Sequence, residues 1–156
     1  MQTKDLYPYW DEMHEELVEN VEYLDEDQID ARPHDGASSI KQLVLKFVEV
    51  ERFHAQHLAG GFDYERPSAS AHVDGKAIAD LLTATRVVTA RVLEPLTAAG
   101  LRSVRAVPGD PAENRPDTNM PVAWLLWHVM EREIQCLGQV TLRLADVKNK
   151  KSSRWG

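Results

Sequence analysis

The stretch VAWLLWHVMEREIQCLGQV, Val122 to Val140, decides the fold. Pro121 stands directly before it, where the first turn of a helix accepts a residue without an amide donor. No alternation of apolar and polar residues at period two persists here or elsewhere, so the stretch predicts a helix running to about Val147. Within it His128, Arg132 and Cys136 stand four apart, which sets their side chains on one nearly straight line along the helix. A histidine, a cation and a thiol on one line make that line the first candidate for a site.

Three further helices precede it. In the first, from about Tyr7 to Leu24, Met13, Leu17, Val21 and Leu24 recur at three and four residue steps, with Glu15, Glu16, Glu19 and Glu22 on the outer side. Pro33 and Gly36 break the chain, and Ser38 or Ser39 can cap the next start. The second helix, about Ile40 to Ala59, carries Ile40, Leu43, Phe47, Val50, His54 and His57, with Gly60 and Gly61 as its stop. A long polar loop follows, FDYERPSASAHVDG, of a length that suggests a crossover or a site lining. The third helix, about Lys76 to Ala99, has Ile78, Leu81, Leu82, Thr85, Val88, Val92 and Leu96 as its stripe, and Pro95 should kink or shorten it. Between Gly100 and Pro121 four prolines argue against any long regular element. The fold class expected is all-α: four amphipathic helices, each needing partners for its stripe, packed as a four-helix bundle with long loops after helices 2 and 3.

A chain of 156 residues is one domain's worth, read as a single domain over 1–147 with a basic, disordered tail over 148–156. Its net charge of -7, from 18 basic and 25 acidic residues, lacks the basic footprint that phosphate backbones require, so nucleic acid is not an expected partner. The apolar runs are far short of the ~20 residues that cross a bilayer, and the acidic, aromatic start MQTKDLYPYWDEMHEE does not read as a secretory signal. The single cysteine fits a reducing compartment, and cytoplasmic localisation is the expectation.

Two stretches carry a family likeness. SIKQLVLKFVEVERFHAQHLAGG, Ser39 to Gly61, and WLLWHVMEREIQCLGQV, Trp124 to Val140, resemble the second and last helices of the DinB/YfiT-like superfamily. Within it the chain is most similar to the branch that includes mycothiol-dependent maleylpyruvate isomerase-like proteins. The resemblance implies a divalent metal held by three histidines, one on the second helix and two on the last. Matched position by position, those histidines fall on Lys46, Arg132 and Cys136, so all three are replaced. Lysine must lose a proton to ligate, arginine cannot realistically do so, and both repel the ion as cations; only a Cys136 thiolate remains competent. The family bundle also implies that the second and last helices run parallel, which leaves no second histidine opposite His128. His54, His57, His14, His34 and His72 therefore read as packed or surface histidines, and Cys136 and His128 as the only metal candidates, both weak.

Glu49, Glu51 and Glu131 could act as acid/base groups, but beside Lys46 and Arg132 they read better as salt-bridge partners. Trp124 and Trp127 flank the line and suit packing or stacking. No base stands beside Cys136, so it does not read as a nucleophile. The cleft candidates are thus Lys46, His128, Arg132, Cys136, Glu49 and Glu131. Two functions compete. One is a cofactor-free DinB-like protein that has lost the metal and binds a small, anionic ligand, or serves in an unassigned role. The alternative is a zinc- or nickel-dependent thiol S-transferase, isomerase or hydrolase with a non-standard ligand set. Pairing as a homodimer is a third expectation, since many bundles of this kind pair.

Overall fold

Each long apolar stripe folds as a helix, and the breaks fall where backbone chemistry demands them. The structure, a computed structural model, describes residues 1–59, 73–109 and 116–152, with side chains as far as residue 146. Gly60, Gly61, His72 and most of the polar loop lie outside the described residues. The expected first helix, about Tyr7 to Leu24, forms as α2 (Trp10–Glu22), and a short α1 (Thr3–Leu6) precedes it; Pro8 and Tyr9, the latter at φ 72 in a left-handed conformation that no helix continues, keep the two apart. A short α3 (Glu26–Asp30), capped by Asp25, occupies part of the segment expected to be a plain break. α4 (Ile40–Ala59) starts on a reciprocal cap: Ser39 Oγ accepts from the Gln42 amide and Gln42 Oε1 accepts from the Ser39 amide. α5 (Gly75–Leu93) is capped by Asp74 and ends two residues before Pro95, which shortens the expected helix instead of kinking it. α6 (Ala98–Leu101) follows, then a hairpin, then α7 (Val122–Ser152).

The hairpin corrects the expectation of no strand. β1 (Val104–Val107) pairs antiparallel with β2 (Thr118–Pro121), with Val104 opposite Pro121 and Val107 opposite Thr118. Four residues a side are too few for a period-two pattern to show in sequence, and Pro121 sits at the end of its strand, where its missing amide costs little. The expected helix end near Val147 is also too early. α7 continues through Lys148 to Ser152, the first part of the basic tail, and residues 153–156 lie outside the described residues.

Contacts fix the helix directions. The start of α5 lies against the end of α2, with the Gly75 amide donating to Leu24 O at 2.9 Å, whereas Arg86, further along α5, lies over the Trp10 ring at the start of α2. α2 and α5 are therefore antiparallel. α7 begins beside the chain that leaves α5, its Val122 amide on Ser103 O, so it runs antiparallel to α5 as well. His54 on α4 meets His128 on α7, while Glu51, a turn earlier, shares Arg86 with Glu133, more than a turn later. The second and last long helices are antiparallel, not parallel as the resemblance implied, and the order of the four is up, down, down, up. α4 packs on both α5 and α7, and α2 on the same two from the other side.

The core follows the stripes: Trp10, Leu17 and Val21 of α2, Ile40, Val44 and Phe47 of α4, Ile78 and Leu82 of α5, and Leu126, Val129 and Val140 of α7 are buried. Burying each larger apolar side chain contributes roughly 1.5–3 kcal/mol before conformational entropy is set against it. The α5 stripe turns away from its sequence reading after Thr85. Arg86, Thr89 and Leu93 face inward, and Val88 and Val92 are only half-buried.

Candidate functional site

The most tightly connected polar cluster lies at the centre of the bundle, with one or more side chains from each long helix. Glu133 of α7 is wholly buried and accepts from Trp10 Nε1 at 2.6 Å and from the Arg86 guanidinium, while its other oxygen lies 2.7 Å from His14 Nδ1. Glu51 of α4, also wholly buried, accepts at Oε1 from Arg86 Nε at 3.0 Å and from the Thr89 hydroxyl at 2.7 Å. Arg86 thus bridges two buried carboxylates and stacks its cation over Trp10 at 4.9 Å from the ring centroid.

The ionisation of this cluster is held by its own partners. Burial alone would lower the Arg86 pKa, but Glu51 and Glu133 outweigh it and leave the guanidinium firmly charged. For Glu133 burial alone would raise the pKa; the hydrogen bond from His14 and the charge of Arg86 reverse that and hold the carboxyl below its ordinary range. Among the described residues His14 Nε2, Glu51 Oε2 and Arg86 Nη1 have no hydrogen-bond partner, although Arg86 Nη1 comes within 3.9 Å of Asp11 Oδ1. With both carboxylates shut away from solvent, the cluster ties four helices together at one level.

Of the residues singled out from sequence, Glu51 belongs to this cluster and the others stand outside it. Lys46 is exposed on α4. Arg132 is exposed on α7, with its Nη1 donating to Gln135 Oε1. Cys136 faces the core, where burial and then Glu133 push its thiol up to about 12. The line of His128, Arg132 and Cys136 therefore passes from half-buried to exposed to buried along its length. Glu51 pairs with Arg86, and Glu131 with His128 Nδ1 at 3.2 Å, in place of the expected pairing with Lys46 and Arg132. Glu49 is half-buried.

The antiparallel packing creates a neighbour for His128 that the parallel reading denied it. His54 is 6% exposed and its ring stands 5.2 Å from that of His128, edge to face, while Trp124 stacks flat on His128 at 5.0 Å. Phe53 packs on both His54 and His57. Burial first, then His128, His57 and Arg132, drive the His54 pKa down to about 3. Burial and Arg132 also lower His128, against the opposing pull of Glu131. Both imidazoles are neutral at pH 7. Among the described residues no three His, Cys, Asp or Glu side chains stand together as a metal would need.

The three positions that the family likeness assigns to metal ligands therefore do not fit a divalent ion. Two are solvated cations and the third is a thiol held protonated in the core. A signal for the central cluster was present in the sequence: Glu51, Arg86 and Glu133 each fall on the apolar period of their helices, as His14 does between Trp10 and Leu17. A charged residue on the buried stripe of each neighbouring helix is a sign of paired charges inside.

An up, down, down, up bundle with a long crossover and a short hairpin before its last helix defines the class. The DinB family model matches residues 1–146, and the chain belongs to the DinB family. The fold is similar to a DinB-like protein of Bacillus cereus ATCC 10987, with a TM-score of 0.76 at 14% identity over 94% of this chain and 93% of that one. It is also similar to a DinB-like protein of Bacillus subtilis, with a TM-score of 0.59 at 18% identity over 90% and 86%. Among curated proteins none matches the sequence. No described helix is long and apolar enough to cross a membrane.

Proposed function

We propose that this DinB-family protein has exchanged the three-histidine metal site for a metal-free surface and acts by binding a small, anionic molecule. The observation that carries the reading is the state of the three exchanged positions. Lys46 and Arg132 are exposed cations on adjacent helices, and the Cys136 thiol is buried and protonated at any physiological pH. Cations that would repel a metal ion can instead grip a carboxylate or phosphate. Thermal melts with zinc, nickel or manganese at one equivalent should leave the midpoint unchanged, and melts with small carboxylates and phosphates should raise it. The same anions should lose their effect on a Lys46→Gln, Arg132→Gln variant. A rise with a metal and none with anions would overturn the reading.

One observation favours a second reading, the zinc- or nickel-dependent S-transferase, isomerase or hydrolase. His54 and His128 are neutral imidazoles with ring centroids 5.2 Å apart, and Glu131 orients His128 through Nδ1 as carboxylates orient metal-bound histidines. Metal uptake abolished by His128→Ala would support it, and uptake unaffected by that change would remove it.

A further inference from the structure

The groove between α4 and α7 changes character along its length, aromatic at one end and cationic at the other. His54 of α4 stands against His128 of α7, and the two helices are antiparallel, so Val50 lies level with Arg132, and Lys46 about one turn beyond. Positions 46, 50, 53 and 57 of α4, and 124, 128 and 132 of α7, follow steps of three and four, which sets each series along one side of its helix. At the aromatic end each helix leaves a large ring open to solvent. Trp124 lies flat on His128 and stays 38% exposed; Phe53 packs on His57, ring centroids 4.3 Å apart, and stays 37% exposed. At the cationic end the Arg132 charge acts across the groove, lowering the pKa of His54 on α4 as well as that of His128. Among the described residues neither Lys46 nor Arg132 has a carboxylate within ion-pair distance, and Arg132 Nη1 donates to the neutral amide of Gln135.

We infer that this groove takes a small aromatic acid, an aryl ring carrying a short carboxylate chain, with the ring against Phe53 and Trp124 and the carboxylate between Arg132 and Lys46. The inference rests on the proposed anion binding at those two cations and adds the class of molecule bound. Three features select it. An arginine fork holds a carboxylate through two parallel N–H bonds, and a lysine beside it adds a point charge. Aromatic side chains stabilise a flat ring beyond what its apolar area alone contributes, and here they approach from both helices. The separation also fits: from the level of His128 to that of Arg132 the helix rises about 6 Å, the span of a ring and a short acid chain, whereas a bare phosphate leaves the aromatic end unused. A chain whose net charge is -7 repels anions over much of its surface, so two cations without carboxylate partners are where an acid is held.

Calorimetric titration of the full chain with phenylpropionate, cyclohexylpropionate and propionate separates the contributions. Phenylpropionate should bind about tenfold tighter than propionate or better, with the cyclohexyl acid between them because it buries a similar area without a π face. A Lys46→Gln, Arg132→Gln variant should weaken phenylpropionate by about tenfold or more, and a Phe53→Ala, Trp124→Ala variant should bring it down to the level of propionate. In the wild-type protein the aryl protons should show nuclear Overhauser contacts to the rings of Phe53 and Trp124, and their absence would overturn the inference without recourse to any variant. Propionate or the cyclohexyl acid binding as tightly as phenylpropionate would overturn it too, while leaving the anion reading in place. Aryl binding that survives the loss of both cations would overturn both. If none of the three acids binds, the inference falls, and titration with inorganic phosphate decides the anion reading by itself.

Discussion

Arg86 is the side chain on which the interior depends most. It is the cation shared by two wholly buried carboxylates, so replacing it by methionine strands both charges in a medium that cannot solvate them. Breaking a buried pair in this way costs about 3–5 kcal/mol, and urea unfolding of Arg86→Met at pH 7 should show a loss of that size. Glu51→Gln together with Glu133→Gln in the same variant should recover part of it. His54 gives a second test. Its folded pKa of about 3 lies below the unfolded value of 6.5, so the unfolded chain takes up a proton first as pH falls. The stability it contributes is complete above 6.5 and drains away towards 3, a loss on the order of 5 kcal/mol across that window. Stability measured from pH 7 to pH 4.5 should fall for the wild type and much less for His54→Phe; equal slopes would refute the burial account. Glu133 acts in the same direction at lower pH, because its depressed folded pKa preserves stability until the pH drops below the ordinary carboxylate range of 4.5.

Among the elements, the join of α2 to α5 is the least forgiving. A Cβ on Gly75 would sit 1.9 Å from Val21 O, 2.8 Å from Leu24 O and 2.9 Å from Leu24 N, all backbone atoms that cannot swing aside. Gly75→Ala should therefore lower the melting temperature sharply, by several kcal/mol of stability, although alanine is the better helix former. A variant melting within a degree of the wild type would show that the two helices are not closely apposed. The four helices themselves were legible because each apolar stripe runs for many turns and is bounded by proline, glycine or a capping side chain. The hairpin was not, since four-residue strands hold too little pattern. Helix direction was not legible either, because periodicity says which side is buried and nothing about which end meets which. That one missing piece concealed the His54 and His128 pair. The inward turn of α5 at Arg86 was hidden for a different reason: Val88 and Val92 offered an apolar stripe that the buried charge network overrode.

At the scale of the whole molecule, the chain has the DinB fold, and the proposed reading is that the positions matched to the metal ligands no longer hold an ion. The exposed cations at 46 and 132 and the sealed thiol at 136 came from the sequence as identities, and their separate environments came only from the packing. The most direct measurement is the metal content of the purified protein after exposure to excess zinc, nickel and manganese and removal of the free ion. The account predicts well under one tenth of an equivalent per chain, on the order of nonspecific carry-over for a chain without a preformed ligand set. About one equivalent of any of these ions, retained through the wash, would contradict it.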